Sequence, residues 1–276
     1  MSDYQKKLIV EPGSKIRLKH FDPGYQGKHE SHKSALPEIE KNLQKMEELQ
    51  YVMYAENKHS LLIVLQGLDA GGKDGVVRHV LTGMNPSGCV SVNLAHDFLW
   101  RVHPHVPARG SVAIFNRSHY EDVLVARVHN LVPEKVWAKR YDQINDFEQL
   151  ISTENNTTIL KFFLHISKDE QLARFKKRLD DPARQWKISE SDYKERDYWG
   201  DYIEAFEDVL TKTSTKHTPW FIIPSNHKWF RNLSISQIIA RTMEEMDMKM
   251  PQPTVNLAEI RREYHQAADE KSNRSD

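Results

Sequence analysis

The feature that most restricts the fold of this chain is a glycine-rich turn between a short apolar segment and a segment with helical character. Residues 67–74 read Gly-Leu-Asp-Ala-Gly-Gly-Lys-Asp and follow the apolar run Leu61–Leu65. The spacing is G-x-x-x-x-G-K, with Asp74 where Ser or Thr usually stands. A strand that passes through such a turn into a helix predicts a phosphate-binding loop, because the backbone N–H groups and the helix N-terminus both attract anions.

The residues of this loop carry separate expectations. Lys73 supplies a full positive charge, while Asp69 and Asp74 place two carboxylates beside the phosphates. These carboxylates would repel phosphate unless a cation intervenes, so they predict a Mg²⁺ site, with Mn²⁺ as an alternative ion. The competing interpretations are a turn role for Asp69, helix capping by Asp74 and a glycine-rich turn without a ligand. The remaining phosphate contacts are predicted from the backbone of Gly67, Ala70, Gly71 and Gly72.

The pattern of apolar residues predicts an α/β fold. Strands are expected at 61–65, 111–115, 158–164 and 220–223. Helices are expected from 34 through the periodic residues to 53, and at about 73–82, 120–129, 134–154, 168–179, 198–213, 234–247 and 256–268. Strands that alternate with helices imply crossover connections and a parallel sheet covered on both faces. Polar segments flank this core, so residues 1–33 are predicted to be an arm, 34–250 the main domain and 251–276 a tail.

Composition excludes several classes of protein. The 276 residues include 39 Lys and Arg and 39 Asp and Glu, and this balance argues against a generic nucleic-acid coat. The single cysteine, Cys89, excludes an internal disulfide framework and is expected to serve packing in a reducing cytoplasm. The longest aliphatic run, Leu61–Leu65, is far shorter than the roughly 20 residues of a membrane span.

Four further segments carry a family resemblance. Residues 115–125 read FNRSHYEDVLV, 178–192 read RLDDPARQWKISESD, 196–202 read RDYWGDY and 224–230 read PSNHKWF. Together with GLDAGGKDG, this ordered set closely resembles the second family of polyphosphate kinases. The FNRSHYED and KWF forms are similar to the subgroup that uses both AMP and ADP as acceptors. The resemblance extends from about residue 15 to residue 247.

The resemblance implies both a fold and a reaction. The fold would be a P-loop kinase-like three-layer α/β/α sandwich with a mobile helical lid at about 178–199. The reaction would be reversible, Mg²⁺-dependent transfer of a phosphoryl group between inorganic polyphosphate and AMP or ADP, giving ADP or ATP in line and without a covalent enzyme intermediate. Guanine nucleotides are further candidate substrates. The resemblance also implies a homo-oligomer, a dimer or a tetramer, and no nucleic-acid or membrane partner.

Site residues follow from the resemblance by matching position. It implies catalytic roles for Asp69, Lys73 and Arg117. Relatives in another subgroup have Asp where this chain has Asn116, and because Asn is the weaker metal ligand we assign Asn116 to the substrate site and not to the metal. His119 is expected to orient its neighbours. The other residues assigned to phosphate or substrate are Asp74, Arg178, Lys187, Arg196 and Lys228.

The segment 168–197 has two interpretations. It contains nine Lys and Arg against eight Asp and Glu, which is typical of a solvated helix with i,i+4 ion pairs. Pro182 and the pair Asp180–Asp181 interrupt the helical pattern, which favours a hinged lid that lays its basic side chains on a polyanion. The resemblance favours the lid.

Alternative functions and one departure from the family pattern remain. An ATP-dependent nucleoside monophosphate kinase would share the fold and the loop, and a regulatory or nucleic-acid-binding ATPase would share the loop.

Relatives carry a longer connector with a Lys-x-Pro element before the HDFLWR segment. Here residues 91–96 run directly into 97–101, so that lysine has no counterpart. Trp100, Trp186 and Trp229 are all candidates for stacking on a base.

Overall fold

The centre of the molecule is a parallel β-sheet. The structure, a computed structural model, describes residues 3–81 and 97–272, with side chains to residue 268. In the described residues four strands lie in the order β2-β1-β3-β4, all parallel. They are β1 (Ser60–Gln66), β2 (Val112–Asn116), β3 (Thr157–His165) and β4 (Trp220–Pro224). The four predicted strands are confirmed.

Helices connect and cover these strands. The α-helices are α1 (Tyr4–Leu8), α2 (His32–Glu56), α3 (Lys73–His79), α4 (Val125–Val128), α5 (Glu134–Glu154), α6 (Lys168–Asp180), α7 (Glu190–Asp197), α8 (Trp199–Thr213), α9 (Lys228–Glu245) and α10 (Leu257–Ser272). Short 3-10 turns lie at Leu18–His20, His103–His105, His119–Asp122 and Gln185–Lys187. Within the described ranges, no helix has both the length and the apolar character needed to cross a bilayer.

Alternation along the strands divides the apolar core between the two faces of the sheet. Leu61, Ile63 and Leu65 of β1 pack in one cluster with α2 and α9. Leu62 and Val64 face the other cluster, which includes residues of α5 and α8. Burial on both faces is the reason that the strands are mostly apolar and show no regular polar alternation. The predicted three-layer α/β/α arrangement around a parallel sheet is confirmed.

The register of the sheet brings the ends of three strands to one edge. Leu65 of β1 pairs with Asn116 of β2, and Gln66 pairs with Phe163 of β3. Because parallel strands end on the same side, the loops that follow them converge there, and such edges are the usual ligand sites of open α/β sheets. The glycine-rich loop after β1 lies at this edge.

The N-terminal segment lies against the core. Tyr4, Leu8 and Val10 are buried, and the Val10 N–H donates to the Trp220 carbonyl at 2.7 Å. Ile9 forms an antiparallel bridge with Phe221 of β4, so the segment covers the edge of the sheet.

Three expectations about the helices were wrong in detail. The predicted helix at 120–129 is divided into a 3-10 turn and the short α4, because the backbone at Leu124 (φ −100°, ψ −80°) leaves the helical region. Two short turns can keep apolar residues on one face, so periodicity cannot distinguish them from one helix. Helix α9 begins at Lys228 and not near 234, and no side chain caps its start. The helical pattern that begins at 34 predicts Pro37 in the first turn, but α2 begins at His32, so Pro37 lies beyond that turn.

Two expectations concern residues outside the described ranges. The packing role of Cys89 falls there, and so does the short connector at 91–96.

Candidate functional site

The loop between β1 and α3 has a backbone that only small residues allow. Gly67 (φ +154°) and Gly72 (φ +109°) both lie at positive φ, and a Cβ on Gly67 would stand 2.9 Å from the Leu164 carbonyl oxygen. A Cβ on Gly72 would stand 1.9 Å from a guanidinium nitrogen of Arg231. Ala70 also has positive φ (+61°), which non-glycine residues seldom adopt outside functional sites.

Lys73, the first residue of α3, lies folded against this loop. Its Nζ donates to the carbonyl of Gly67 at 2.6 Å and to that of Leu68 at 3.4 Å, and its side chain is buried. Burial lowers the pKa of Lys73, and the nearby Arg117 lowers it further, while the Asp69 carboxylate opposes both. The ammonium group therefore lies inside the loop, beside the amides that would surround a phosphate.

The end of β2 places a second set of polar groups opposite the loop. Arg117 has positive φ (+64°) and donates to Asp69 Oδ1 at 2.8 Å. Burial lowers the pKa of Arg117, but the carboxylates of Glu121 and Asp69 outweigh it and raise that pKa above its usual value. Asn116 donates to Asp74 Oδ1 at 2.9 Å. Each of the two loop carboxylates thus has one oxygen held by a side chain from the end of β2 or the residue after it.

Helix α6 supports the loop from the other side. The Arg174 guanidinium is buried and donates to the carbonyls of Ala70 (2.6 Å) and Gly71 (3.2 Å). Gln171 donates to the Asp69 carbonyl at 2.9 Å. Hydrogen bonds from α6 to the backbone carbonyl oxygens of the loop therefore hold its conformation.

A large cleft opens over the loop and is strongly basic. Its volume is about 1220 Å³, more than the roughly 300–1,000 Å³ of ordinary small-molecule sites. Four acidic residues line it: Asp69, Asp74, Asp181 and Asp192. Ten basic residues line it: Lys73, Arg78, Arg117, Arg174, Lys177, Arg178, Arg184, Lys187, Lys228 and Arg231.

Two of these cations lie at the start of α9. Arg231 is 2% exposed and bonds to Asn232, and within residues 3–81 and 97–272 its guanidinium forms no ion pair with a carboxylate. Burial and the positive charge of Arg174 lower its pKa to about 10. Burial also lowers the pKa of Lys228, and the largest further contributions come from Arg174 and Arg231. Cations that repel one another in a cleft are arranged for an anion.

The segment predicted to be a lid lies along the same cleft. Arg178 at the end of α6 approaches Asp192 of α7 at 3.9 Å, and the Lys187 ammonium lies 4.9 Å from the ring centre of Trp186. Trp186 and Trp229 line the cleft, whereas Trp100 is not among its lining residues.

Arg196 has a different position. Its guanidinium donates to the Lys168 carbonyl (2.9 Å) and to Gln171 Oε1 (2.8 Å), so it joins α7 to α6. Glu195, the neighbouring residue, accepts from Tyr202 at 2.9 Å and contacts His129 at 3.1 Å. The end of α7 is therefore held on two sides.

Most of the predicted site residues meet at the cleft. Gly67 instead lines a small adjoining pocket, and Arg196 lines neither cavity. Those that line the cleft are Asp69, Ala70, Gly71, Gly72, Lys73, Asp74, Asn116, Arg117, Arg178, Lys187 and Lys228.

Sequence reasoning missed several basic residues of the cleft. Arg231 follows Lys228 by three positions and Arg178 follows Arg174 by four, which are the spacings that share a helix face. That spacing was the available signal, but it becomes informative only once the direction of each helix is known.

The chemistry of the donor groups fits a magnesium ion. Mg²⁺ prefers oxygen ligands and is usually held by one or two carboxylates, with phosphates and water completing its shell. Asp69 and Asp74 supply two carboxylates beside the loop. Among the described residues no group of three or more His, Cys, Asp or Glu could hold a metal by itself, so substrate oxygens would have to complete the site.

Comparison with known proteins gives consistent matches. A family model described as Polyphosphate kinase 2 (PPK2) matches residues 28–251. The AMP/ADP-polyphosphate phosphotransferase of Meiothermus ruber is 48% identical over 260 residues, which are 90% of this chain and 96% of that protein. The ADP-polyphosphate phosphotransferase of Rhodopseudomonas palustris is 41% identical over 273 residues, covering 90% and 93%. The crystal structure of Polyphosphate Kinase 2 from Arthrobacter aurescens TC1 matches with a TM-score of 0.90 and 35% identity, covering 96% of this chain and 97% of that one.

Proposed function

The chain belongs to the polyphosphate kinase 2 family, as its ordered motifs predicted, and from this premise we propose that it transfers phosphoryl groups between inorganic polyphosphate and adenine nucleotides. The acceptors are AMP and ADP, and the products are ADP and ATP. An enzyme accelerates both directions, so the same site also extends polyphosphate from ATP.

The basic cleft is the observation that carries this proposal. Ten Lys and Arg and four Asp line this cleft, which is too large for one nucleotide phosphate group. Arg231 is buried beside Arg174 and has a lowered pKa, so a bound anion would offset part of the cost of desolvating its charge. A linear polyanion can occupy several registers in such a cleft, since arginine binds phosphate oxygens in pairs and lysine acts as a point charge.

The reaction needs positioning and charge neutralisation more than proton transfer. A phosphate oxygen of AMP or ADP is already ionised at neutral pH, so no strong general base is required. The loop amides orient the donor phosphates, and Lys73 turns from the Gly67 carbonyl toward them. Arg117, which is bonded to Asp69 of the loop, would stabilise the charge on the transferred group.

We propose that Asp69 and Asp74 hold Mg²⁺, with Mn²⁺ as a substitute. The ion would neutralise charge on the phosphates of donor and acceptor. Arg117 and Asn116 already orient one oxygen of each carboxylate, which fixes the direction in which the other can serve as a ligand.

The location and the assembly of the protein belong to the same proposal. A cytoplasmic location agrees with the single cysteine. A homo-oligomer, a dimer or a tetramer, stands as what the family resemblance implies. The division into arm, main domain and tail, and the lid at about 178–199, stand as predictions from the sequence. So do guanine nucleotides as additional acceptors.

A matrix of donors and acceptors tests the proposal. Purified protein with Mg²⁺ and polyphosphate should convert AMP to ADP and ADP to ATP. Phosphorus NMR or a luciferase assay detects these products. Lys73→Ala should abolish transfer while the circular dichroism spectrum is unchanged. Transfer to AMP from ATP alone, without stimulation by polyphosphate, would contradict the proposal and indicate a nucleoside monophosphate kinase.

A further inference from the structure

A fully buried ion pair lies inside the sheet layer, away from the cleft. Lys161, in the middle of β3, donates through Nζ to Glu148 Oε2 of α5 at 2.6 Å, and both side chains are 0% exposed. The same ammonium donates to the Tyr120 hydroxyl at 3.0 Å, and that hydroxyl donates to Glu148 Oε1 at 2.8 Å. These three residues form a closed triangle of hydrogen bonds, which we call the Lys161 triad.

The fold alone does not account for the triad. Desolvation of two buried charges is costly, and apolar side chains of similar volume often stabilise a core as well or better. Burial would raise the pKa of Glu148, but the Lys161 charge and the hydrogen bond from His119 outweigh it and hold that pKa at about 2. Burial lowers the pKa of Lys161, and the Glu148 carboxylate opposes that shift. The short contact between the two groups fixes the direction of the side chains bonded to them.

Tyr120 connects this pair to the candidate active site. It follows Arg117 by three residues and directly precedes Glu121, and all three belong to the tight turn after β2. Arg117 has a φ of +64°, a conformation that residues with side chains keep only when their surroundings impose it. The Arg117 N–H donates to the Leu65 carbonyl of β1 at 3.2 Å. Three residues later, the buried Tyr120 hydroxyl is fixed by the Lys161 ammonium and the Glu148 carboxylate.

A second contact ties the same turn to β1. The Gln66 amide, oriented so that both of its ends are paired, donates to Glu121 Oε1 at 2.9 Å and accepts from the Ser118 N–H at 3.0 Å. The turn is thus bonded to β1 at Arg117, Ser118 and Glu121 and to the triad at Tyr120, three residues after Arg117.

We propose that Lys161 and Glu148 are positioning residues that act through the Tyr120 hydroxyl to hold Arg117 in its reactive position. This inference rests on the proposed function, because Arg117 is the group that meets the transferred phosphoryl. Neither Lys161 nor Glu148 touches substrate. Their effect is on how accurately Arg117 is placed, which affects the transition state more than the binding of polyphosphate along the cleft.

Tyr120→Phe tests the connection with the least change in packing, because it removes the hydroxyl and leaves the ring. The matched control is Thr218→Val, since Thr218 Oγ1 also donates to Glu148 Oε2 (2.9 Å) but lies on the segment before β4. We expect Tyr120→Phe to lower kcat ~10-fold or more, with KM for polyphosphate within about twofold. Thr218→Val should keep kcat within about twofold of wild type. Hydrogen exchange of residues 117–122 should become faster only in Tyr120→Phe.

A double-mutant cycle separates positioning from general stability. In an Arg117→Ala background, Tyr120→Phe should change kcat by less than about twofold, because its target is gone. Equal kcat losses in Tyr120→Phe and Thr218→Val, or a full Tyr120→Phe effect in the Arg117→Ala background, would overturn the inference. If the wild-type protein shows no phosphoryl transfer, the proposed function is overturned, and this inference with it. That outcome is measured before any variant is made.

Discussion

Arg231 is the residue at which stability and binding oppose each other most directly. It is 2% exposed, and among the described residues its charge is next to Arg174 and not to a carboxylate. A pKa lowered to about 10 means that the folded state disfavours the charged form. At neutral pH the unfolded chain carries this charge without penalty, so the charge on Arg231 destabilises the folded protein.

Replacing this arginine should therefore stabilise the protein and weaken it as an enzyme. For Arg231→Met we expect the free energy of unfolding to rise by about 1–3 kcal/mol, because a desolvated charge is removed and an apolar side chain remains. KM for polyphosphate should rise ~10-fold or more, because the variant loses a hydrogen bond to a charged phosphate group. Urea denaturation and initial rates measure the two effects.

Arg241→Met is the matched control, because Arg241 lies on the same helix but is 39% exposed in its side chain and pairs with Asp3 at 2.8 Å. It should change stability by less than about 1 kcal/mol and leave KM unchanged. If Arg231→Met instead lowered stability and left KM for polyphosphate at its wild-type value, Arg231 would be a structural residue of the loop.

At the scale of elements, the sequence predicted what depends on local pattern. The strands are mostly apolar because they are buried on both faces. The phosphate loop is recognisable because its glycines, Lys73 and the flanking elements are adjacent in the chain. The start of α9 was missed because His227 provides no capping hydrogen bond, so no polar signal marks it.

What the sequence could not provide was contact between distant elements. Arg174 supports the loop only because α6 packs beside it, 103 and 104 residues along the chain from the carbonyls it binds. The Lys161 triad joins α5, β3 and the turn after β2, and nothing local shows that a lysine in the middle of a strand will find Glu148. Periodicity gives the face of an element but not its partner.

The junction of α6 and α7 supports a prediction about the lid. Arg196 holds α7 to α6 through the Lys168 carbonyl and Gln171, and Gln171 in turn binds the Asp69 carbonyl of the loop. Arg196→Ala should loosen α7, so hydrogen exchange of residues 190–197 should accelerate and KM for polyphosphate should rise about tenfold. Lys194→Ala, which removes an exposed cation of the same helix, is the control for charge alone.

This prediction fails in two recognisable ways. Equal KM increases in the two variants would mean that α7 acts through its total charge. A raised KM with unchanged exchange in residues 190–197 would mean that Arg196 contacts polyphosphate itself, as the family resemblance implies.

For the whole molecule, overall neutrality conceals a separation of charge. The chain has 39 basic and 39 acidic residues, yet ten basic and four acidic residues line the cleft. The rest of the chain therefore carries six more acidic than basic residues. Such a distribution directs a polyanion toward the cleft and discourages adsorption elsewhere, which net charge alone could not indicate.

The two ends of the chain contribute unequally to the stability of the folded protein. At the N-terminal end Tyr4, Leu8 and Val10 are buried at 0%, 9% and 1% exposure, whereas every described side chain from 251 to 268 is exposed. Burying each apolar side chain contributes about 1.5–3 kcal/mol, so removing one of these side chains is a large perturbation against a net stability of roughly 5–15 kcal/mol.

Deleting residues 251–276 should therefore leave the unfolding temperature within about 2 °C of wild type and kcat unchanged. Leu8→Ala should lower the free energy of unfolding by about 2–4 kcal/mol, while Leu257→Ala on α10 should change it by less than about 0.5 kcal/mol. Thermal and urea unfolding followed by circular dichroism measure these differences. A large loss of stability on deleting 251–276, at a protein concentration that also changes the mass in light scattering, would show that α10 is buried against another copy of the chain.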